Sequence, residues 1–302
     1  MKVTTMWRRL RRLSVLALVL ATVGVTVPDS APPRFDASLV RVDSASGLDA
    51  DTGVVWILAL GSDARPGEPV LLSRADSIHL VGINTRTGNA TIIGIPRDSY
   101  VDIPGYGRDK INAAMTYGGP QLQAEAVAGM VGITPDYVFT TSFEGFSRMT
   151  AGLGGVNVYS PDSFSLPEVS FQRGRNQVSG RVALAFVRER KSLPGGDFDR
   201  SRNQGQFLID GLRKVAQVTA DGGIERVLWS FAKHTDIDTG PVELYRLARA
   251  VLEIAPAKID NCVITGGFGF VGAASVVFPN LAQAQSLAAD AGRDATLEGG
   301  CS

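Results

Sequence analysis

Seven apolar residues in succession, Val54 to Leu60 (VVWILAL), restrict what this chain can fold into. A strand with no polar side chain on either side must be covered on both faces, as in a sheet with helices packed above and below it. The run ends in Gly61-Ser62-Asp63-Ala64-Arg65, a polar break at a strand end. Ile78 to Asn84 and Ala90 to Ile95 read as two more strands, joined as a hairpin through Thr87-Gly88-Asn89. Shorter strands are expected at Tyr137 to Thr140, Val156 to Tyr159, Cys262 to Thr265 and Ser275 to Phe278. Helices are expected at Gln121 to Val131, Phe143 to Ala151, Arg200 to Val218, Ile224 to Lys233, Val242 to Ile254 and Leu281 to Ala289. The pattern is clearest in Arg200 to Val218, where Leu208, Leu212 and Val215 form one face and Phe207 borders it. No segment repeats another. Strands interleaved with helices predict an α/β fold, a single three-layer α/β/α domain around a central mixed sheet.

The N-terminus carries a separate signal. Lys2, Arg8, Arg9, Arg11 and Arg12 precede an apolar run from Leu13 to Val27, interrupted only by Ser14, Thr22, Gly24 and Thr26. Residues 1–12 read as a cytoplasmic basic tail and 13–27 as a membrane-seeking segment, shorter than the roughly 20 residues of an ideal span. No clean small-x-small cleavage site precedes Pro32-Pro33, which favours an uncleaved signal anchor over a cleaved signal peptide and a secreted product. Cations retained on the cytoplasmic side send the rest of the chain outside. Residues 28–52, rich in Pro, Ser and Asp, read as a spacer, and 53–302 as the folded body. In an exported chain Cys262 and Cys301, the two cysteines, are expected to form a disulfide that ties a late strand to the C-terminal tail. Thirty acidic residues balance thirty basic ones, so no global field favours nucleic acid as a partner.

Charged residues gather where strands end or helices start, which is where α/β proteins place their sites. The organising stretch is Ile92 to Pro120, IIGIPRDSYVDIPGYGRDKINAAMTYGGP. It leaves a strand through Pro96 into Arg97-Asp98, crosses a Pro/Gly turn, and returns with Asp109-Lys110-Ile111-Asn112 at an expected helix start. Asp63 with Arg65, and Arg74 with Asp76, form a second cluster. Arg188, Arg190, Asp197, Arg200 and Gln204 form a third. Arg188 and Arg190 point the same way if their segment is extended. Arg200 and Gln204 share a helix face, with Arg200 expected in a first turn that favours anions. Forked guanidinium groups match phosphate oxygens two at a time, so converging arginines suit a pyrophosphate. Carboxylates beside such a ligand suit Mg²⁺, which is held by one or two carboxylates plus phosphates. Taken singly, each of these residues reads more readily as part of an ordinary surface ion pair.

The motifs, in one order, resemble those of the LytR-CpsA-Psr family, extracellular transferases that join polymers to the bacterial cell wall. They are LGSDAR (Leu60 to Arg65), RADSIHLVGI (Arg74 to Ile83), GIPRDSYVDIPGYGRDKINAAMTYGGP (Gly94 to Pro120), GLGGVNV (Gly152 to Val158), ALAFVRER (Ala183 to Arg190) and GDFDRSRNQ (Gly196 to Gln204). The resemblance implies a polyprenyl (pyro)phosphate-linked glycopolymer as donor, its lipid tail in a hydrophobic tunnel through the core, and peptidoglycan as acceptor. It implies Asp63 and Asp76 as ligands of Mg²⁺ or Mn²⁺, and Arg74, Arg97, Lys110, Arg188, Arg190 and Arg200 as phosphate-binding cations, with Gln204 beside them. Asp197 falls where the family carries a further active-site acid, so Asp76, Arg97, Asp197 and Arg200 are the expected catalytic residues. Ala75 and Ser77 depart from the commoner Ser and Thr around Asp76. The implied reaction is phosphoryl transfer to a muramic acid hydroxyl, with Asp197 or Asp98 taking its proton.

Two other readings use the same cations: a polyprenyl-pyrophosphate hydrolase, and a non-enzymatic lipid-binding or regulatory surface protein. Two features carry less. Gly267 to Gly272 (GFGFVG) fits G-x-G-x-x-G but has too little chain after it for a nucleotide-binding βαβ unit, so it reads as a loop between strands. His79 lies mid-strand among apolar residues and reads as a structural histidine.

Overall fold

The seven-residue apolar run becomes a central strand. The structure, a computed structural model, describes residues 36–45, 53–222, 231–232 and 234–301. In chain order it contains β1 (Ala37–Arg41), β2 (Val54–Ser62), β3 (Ala75–Asn84), β4 (Ala90–Gly94), β5 (Tyr100–Ile103), β6 (Gly107–Lys110), α1 (Ala113–Val131) and β7 (Tyr137–Ser142). Then come α2 (Phe143–Gly152), β8 (Val156–Ser160), β9 (Phe164–Leu166), β10 (Val169–Phe171), β11 (Gly174–Val178), α3 (Gly180–Arg188) and α4 (Asp197–Gly222). The last are β12 (Thr235–Asp238), α5 (Pro241–Leu252), β13 (Ile259–Val263), β14 (Gly266–Val271), β15 (Ala274–Pro279) and α6 (Leu281–Asp294).

Seven strands form a mixed sheet in the order β12-β1-β7-β2-β3-β4-β13. The β2–β3–β4 meander is antiparallel, as expected of the hairpin, whereas β7 and β13 run parallel to their neighbours β2 and β4. Side chains alternate across this sheet. Leu58, Leu60, Ile78 and Leu80 face α1 and α6, in one cluster with Met115, Val127 and Leu287. Ile57, Val81 and Ile83 face the other way, towards Leu212 of α4 and Ala250 of α5. Helices thus cover both faces and the three-layer architecture follows.

Two glycines set how closely α4 approaches the sheet. A Cβ on Gly94 of β4 would lie 2.5 Å from Ser201 Oγ, and one on Gly205 of α4 would lie 2.2 Å from Asn261 Oδ1 of β13. The absence of side chains at both positions lets the first half of α4 lie against β4 and β13.

Several expectations are corrected. Within the expected spacer, Ala37 to Arg41 forms β1, placed between β12 and β7, with Ala37 and Leu39 buried; its short, polar-flanked apolar pattern concealed it. The folded body therefore begins at Asp36 rather than at residue 53. Asp109 and Lys110 belong to β6, paired with β5, and the helix begins only after Asn112. That helix is broken at Gly118 and Gly119 and resumes at Pro120, where a proline costs no hydrogen bond. β9, β10 and β11 were not among the expected strands. Residues 1–12 and 13–27 lie outside the described residues, as does nearly all of the helix expected at 224–233. No helix among the described residues is long and apolar enough to cross a membrane.

Cys262 and Cys301 form a disulfide with 5.3 Å between Cα atoms, closing a separation of 39 residues from β13 across the β14–β15 hairpin and α6. By the chain-entropy argument a loop of this size contributes roughly 2–4 kcal/mol. Cys301→Ser is therefore expected to lower the unfolding free energy by that amount, and wild type in reductant should fall to the same value in chemical denaturation.

Candidate functional site

The site is built where β2, β3 and β4 end. A register shift between Gly61 and Ser62 swings the chain after β2, and the Asp63 N–H donates to the Arg74 carbonyl (2.9 Å). This holds Asp63 beside the start of β3, where Asp76 sits. After β4, Ile95 still donates to Ile78 (2.9 Å), and Pro96 then turns the chain so that Arg97 and Asp98 project from the sheet end. The loop is tied to the returning chain by Ile111 N–H to Ser99 O (2.8 Å) and Asn112 N–H to Arg97 O (3.3 Å). The β5–β6 hairpin between these ties delivers Lys110.

Around this loop the charges form two neighbouring groups of ion pairs. Arg97 bonds Asp76 through Nη1 and lies 3.6 Å from Asp98 through Nε, and Lys110 Nζ lies 2.8 Å from the other Asp98 oxygen. From α4, Asp197 pairs with Arg200 at 2.7 Å, and Arg190 Nη1 reaches to 4.0 Å from the same carboxylate oxygen. Arg200 is 5% exposed, and burial lowers its pKa although Asp197 works the other way. Burial also opposes the charge on Arg97, but Asp76 outweighs it and the net shift is upward. Burial and the charge of Asp76 raise Asp63 above its ordinary value. Both carboxylate oxygens of Asp197 and the Nε atoms of Arg97 and Arg200 are buried and lack an aligned hydrogen-bond partner among the described residues. Six cations (Arg74, Arg97, Lys110, Arg188, Arg190, Arg200) and four carboxylates (Asp63, Asp76, Asp98, Asp197) leave an excess of positive charge. With Asp197 and Arg200 buried and incompletely bonded at its centre, such a cluster is suited to phosphate oxygens.

Beneath the cluster lies an apolar cavity of about 450 Å³ between the sheet and α2 to α5. Its walls include Ile57, Val81 and Phe139 of the sheet, Phe146 of α2, Phe207, Leu212 and Val215 of α4, and Leu247 and Val251 of α5. Asp76, Arg188, Arg200 and Gln204 stand in the same lining, so one apolar space ends on charged groups. The face of α4 recognised by its spacing is therefore a cavity wall.

A model of the LytR_cpsA_psr family matches residues 33–291. The chain belongs to that family. It is 32% identical over 235 residues to a polyisoprenyl-teichoic acid–peptidoglycan teichoic acid transferase, TagU, of Bacillus licheniformis, covering 74% of each chain. It is 34% identical over 229 residues to TagU of Bacillus subtilis, covering 70% of this chain and 74% of that protein. The crystal structure of B. subtilis TagV superposes with a TM-score of 0.66 at 26% identity, over 77% of this chain and 94% of that one.

Within this LytR_cpsA_psr fold, the residues singled out in the sequence fall around one mouth, with two geometric corrections. Arg188 and Arg190 do not lie side by side on an extended segment. Arg188 closes α3 and stacks its guanidinium over Phe143 (4.4 Å to the ring centroid), whereas Arg190 follows in a loop and turns to Asp197. A helical end separates two side chains that a strand would align. The α4 helix also starts three residues early, at Asp197, and the Arg200 N–H already donates to Gly196 O, so Arg200 contributes its side chain and not a free N–H. Arg74 is exposed at the rim, near Asp63. Gln204 donates to the Val187 carbonyl (2.9 Å), fixing the end of α3 against α4. Phe143 was not singled out in the sequence; the helix it opens was expected, but its contact with Arg188 of α3 is visible only once the two helices are packed.

His79 is 1% exposed and bonded on both ring nitrogens, to Ser201 O (2.9 Å) and Ser77 Oγ (3.1 Å). With Nε2–H donating to that carbonyl, the neutral ring pins α4 to the sheet, and burial lowers its pKa to about 4. A depressed folded-state pKa means the unfolded chain takes up a proton first as pH falls. Stability from the neutral ring is complete above about pH 6.5 and is lost towards pH 4, by about 3 kcal/mol in all. His79→Gln should remove this part of the slope, so wild-type and variant unfolding free energies should converge between pH 7 and pH 4.5 in urea titrations. Curves that stay parallel over that range would show that His79 does not titrate as described.

Proposed function

We propose that this protein transfers a glycopolymer from a polyprenyl-pyrophosphate carrier to peptidoglycan, as the names of its TagU relatives describe for those proteins. The observation that carries this reading is the apolar cavity ending on the buried Arg200 and on Arg188. A ligand that satisfies both parts must be a long apolar chain with an anionic head, and a polyprenyl pyrophosphate has that form. A polar or charged group in the cavity would be desolvated without partners. The cavity would thus hold the lipid tail as a tunnel, and the six cations would hold the pyrophosphate.

In the reaction a hydroxyl oxygen of the acceptor forms a bond to the sugar-linked phosphorus. The bond from that phosphorus to the bridging oxygen breaks, and the lipid leaves as a monophosphate. Arg97 and Arg200, already desolvated and fixed by Asp76 and Asp197, are placed to stabilise charge gathering on the departing oxygen. Asp197 or Asp98 takes the acceptor proton. Asp63 and Asp76 fit a divalent cation: burial and then the charge of Asp76 disfavour a second negative charge on Asp63, and a cation held by the two carboxylates would offset both. No cluster of three or more His, Cys, Asp or Glu side chains suited to a metal occurs among the described residues, so the cation would rest on two carboxylates and on donor phosphates. When bound, Mg²⁺ would supply Lewis-acid stabilisation of the phosphates. The apolar run at residues 13–27 would anchor the chain, with the domain on the outer side where carrier lipid and peptidoglycan meet.

The test uses the full chain in detergent with a polyprenyl-pyrophosphate-linked oligosaccharide, Mg²⁺ and peptidoglycan. Release of lipid monophosphate is followed together with sugar incorporation. Arg97→Ala and Asp76→Ala should each lower kcat by roughly 10²- to 10³-fold with the fold intact. Chelation should abolish turnover, and added Mg²⁺ should restore it. Incorporation should account for the monophosphate released; release into water alone makes the protein a hydrolase, and binding with no release makes it a lipid-binding module.

A further inference from the structure

A second cavity adjoins the charged cluster. It is a cleft of about 320 Å³ lined by Asp98, Arg190, Lys191, Asp197 and the hairpin residues Phe268 and Val277, and it shares no lining residue with the apolar cavity. Ion pairs join the two spaces: Arg200 lines the first and its partner Asp197 the second, and Asp98 faces the second while contacting Arg97.

The β14–β15 hairpin that walls this cleft is fastened to the site loop. Val277 donates its N–H to the Asp98 carbonyl (2.9 Å) and forms a bridge with Ser99. Phe278 meets Tyr100 edge-on at 6.2 Å, and Phe268 meets Phe198, next to Asp197, at 5.3 Å. The G-x-G-x-x-G stretch read as a loop is in fact β14 and its turn. Its glycines alternate with Phe268 and Phe270, which share one face. Gly269 lies under the Phe278 ring, where a Cβ would come within 2.6 Å, and Gly272 makes the turn at φ +59°. The arrangement leaves Phe268 66% and Phe270 74% exposed.

We propose that this cleft and its hairpin form the acceptor site, with a glycan strand of peptidoglycan lying on Phe268 and Phe270 and one hydroxyl beside Asp197 and Asp98. The proposal rests on the transferase reading and locates its second substrate. A purely apolar occupant would strip water from the four charged side chains and leave the Asp197 oxygens without a hydrogen-bond donor from the ligand. A sugar ring satisfies both kinds of wall: its C–H face packs on an aromatic ring and its hydroxyls bond the carboxylates. Arg190 and Lys191 suit the carboxylates of muramic acid and its peptide. Continuity with the pyrophosphate cluster brings the hydroxyl to the phosphorus without its entering the lipid cavity.

The experiment takes the full chain, the Phe268→Ala/Phe270→Ala double variant and Lys191→Ala. An uncrosslinked N-acetylglucosamine–N-acetylmuramic acid strand with its stem peptides is the probe. Calorimetric titration should show saturable binding to wild type and a dissociation constant about tenfold or more higher in the double variant. The acceptor KM in transfer should rise in parallel, while the donor KM stays where it was. Should the double variant lose thermal stability, Phe270→Ala alone, at the more exposed ring, decides. Absence of saturable binding to wild type, or equal binding by the ring variants, overturns the proposal. Donor cleavage in the same preparations separates the two readings. Cleavage without strand binding removes the cleft and keeps the phosphoryl chemistry, whereas ring-dependent strand binding without cleavage removes the transferase and keeps the cleft.

Discussion

Arginine charge held at the end of an apolar cavity is the condition on which the rest of this structure depends. Placing Arg200 at 5% exposure is costly unless a partner is equally buried, and Asp197, three residues earlier on the same helix, is that partner. The pair can sit there only because α4 lies close to the sheet. That approach requires the missing side chains at Gly94 and Gly205 and the bond from His79 to Ser201, the residue after Arg200. Any residue that pushed α4 outward at these points would open the cavity wall and move Arg200 and Gln204 off the mouth together. Packing and function therefore share one contact.

The meander and the charged strand ends were legible in the sequence because each depends on local pattern. Val54 to Leu60 has no polar face, Thr87-Gly88-Asn89 allows little but a tight turn, and Pro96 must end β4. The motif order from Leu60 to Gln204 also brought eleven charged or polar residues to attention, and they do surround one mouth. What was missed depends on tertiary partners. β1 is five residues of mixed polarity whose identity as a strand comes from β7 and β12 on either side. Arg188 and Arg190 were expected to align because Gly180 to Arg188 was not placed as a helix. The aromatic hairpin was hidden by its glycines, which resemble a nucleotide loop until the Phe278 ring is seen to occupy the space above Gly269.

The same physical argument separates the two proposed substrates between the apolar cavity and the charged cleft. A polyprenyl tail needs a wall without polar groups, and a glycan needs hydroxyl partners throughout. Neither wall serves the other ligand, because unpaired polar groups in the first and bare apolar surface in the second each lose free energy. The reacting phosphorus must nonetheless be reached from both. A partition made of ion pairs meets this requirement: Arg97 is neutralised by Asp76 and Arg200 by Asp197, so this pair of arginines can be held away from water before substrate arrives.

The partition also couples the two ends of the proposed reaction. Asp197 stands in the cleft while Arg200 stands in the lipid cavity, and they are 2.7 Å apart. As an acceptor proton passes to Asp197, the carboxylate loses the charge that holds Arg200. The guanidinium is then freer to bond the lipid phosphate, whose negative charge grows at the same moment. Arg97 links the two sides less directly, bonding Asp76 of the lipid-cavity lining and lying 3.6 Å from Asp98 of the cleft, whose other oxygen meets Lys110. Proton uptake on one side of the partition thereby strengthens leaving-group stabilisation on the other. A water molecule in the cleft could start the same exchange, so the preference for a glycan over water has to come from the residues that position the acceptor, and Phe268 and Phe270 are the surfaces available for it.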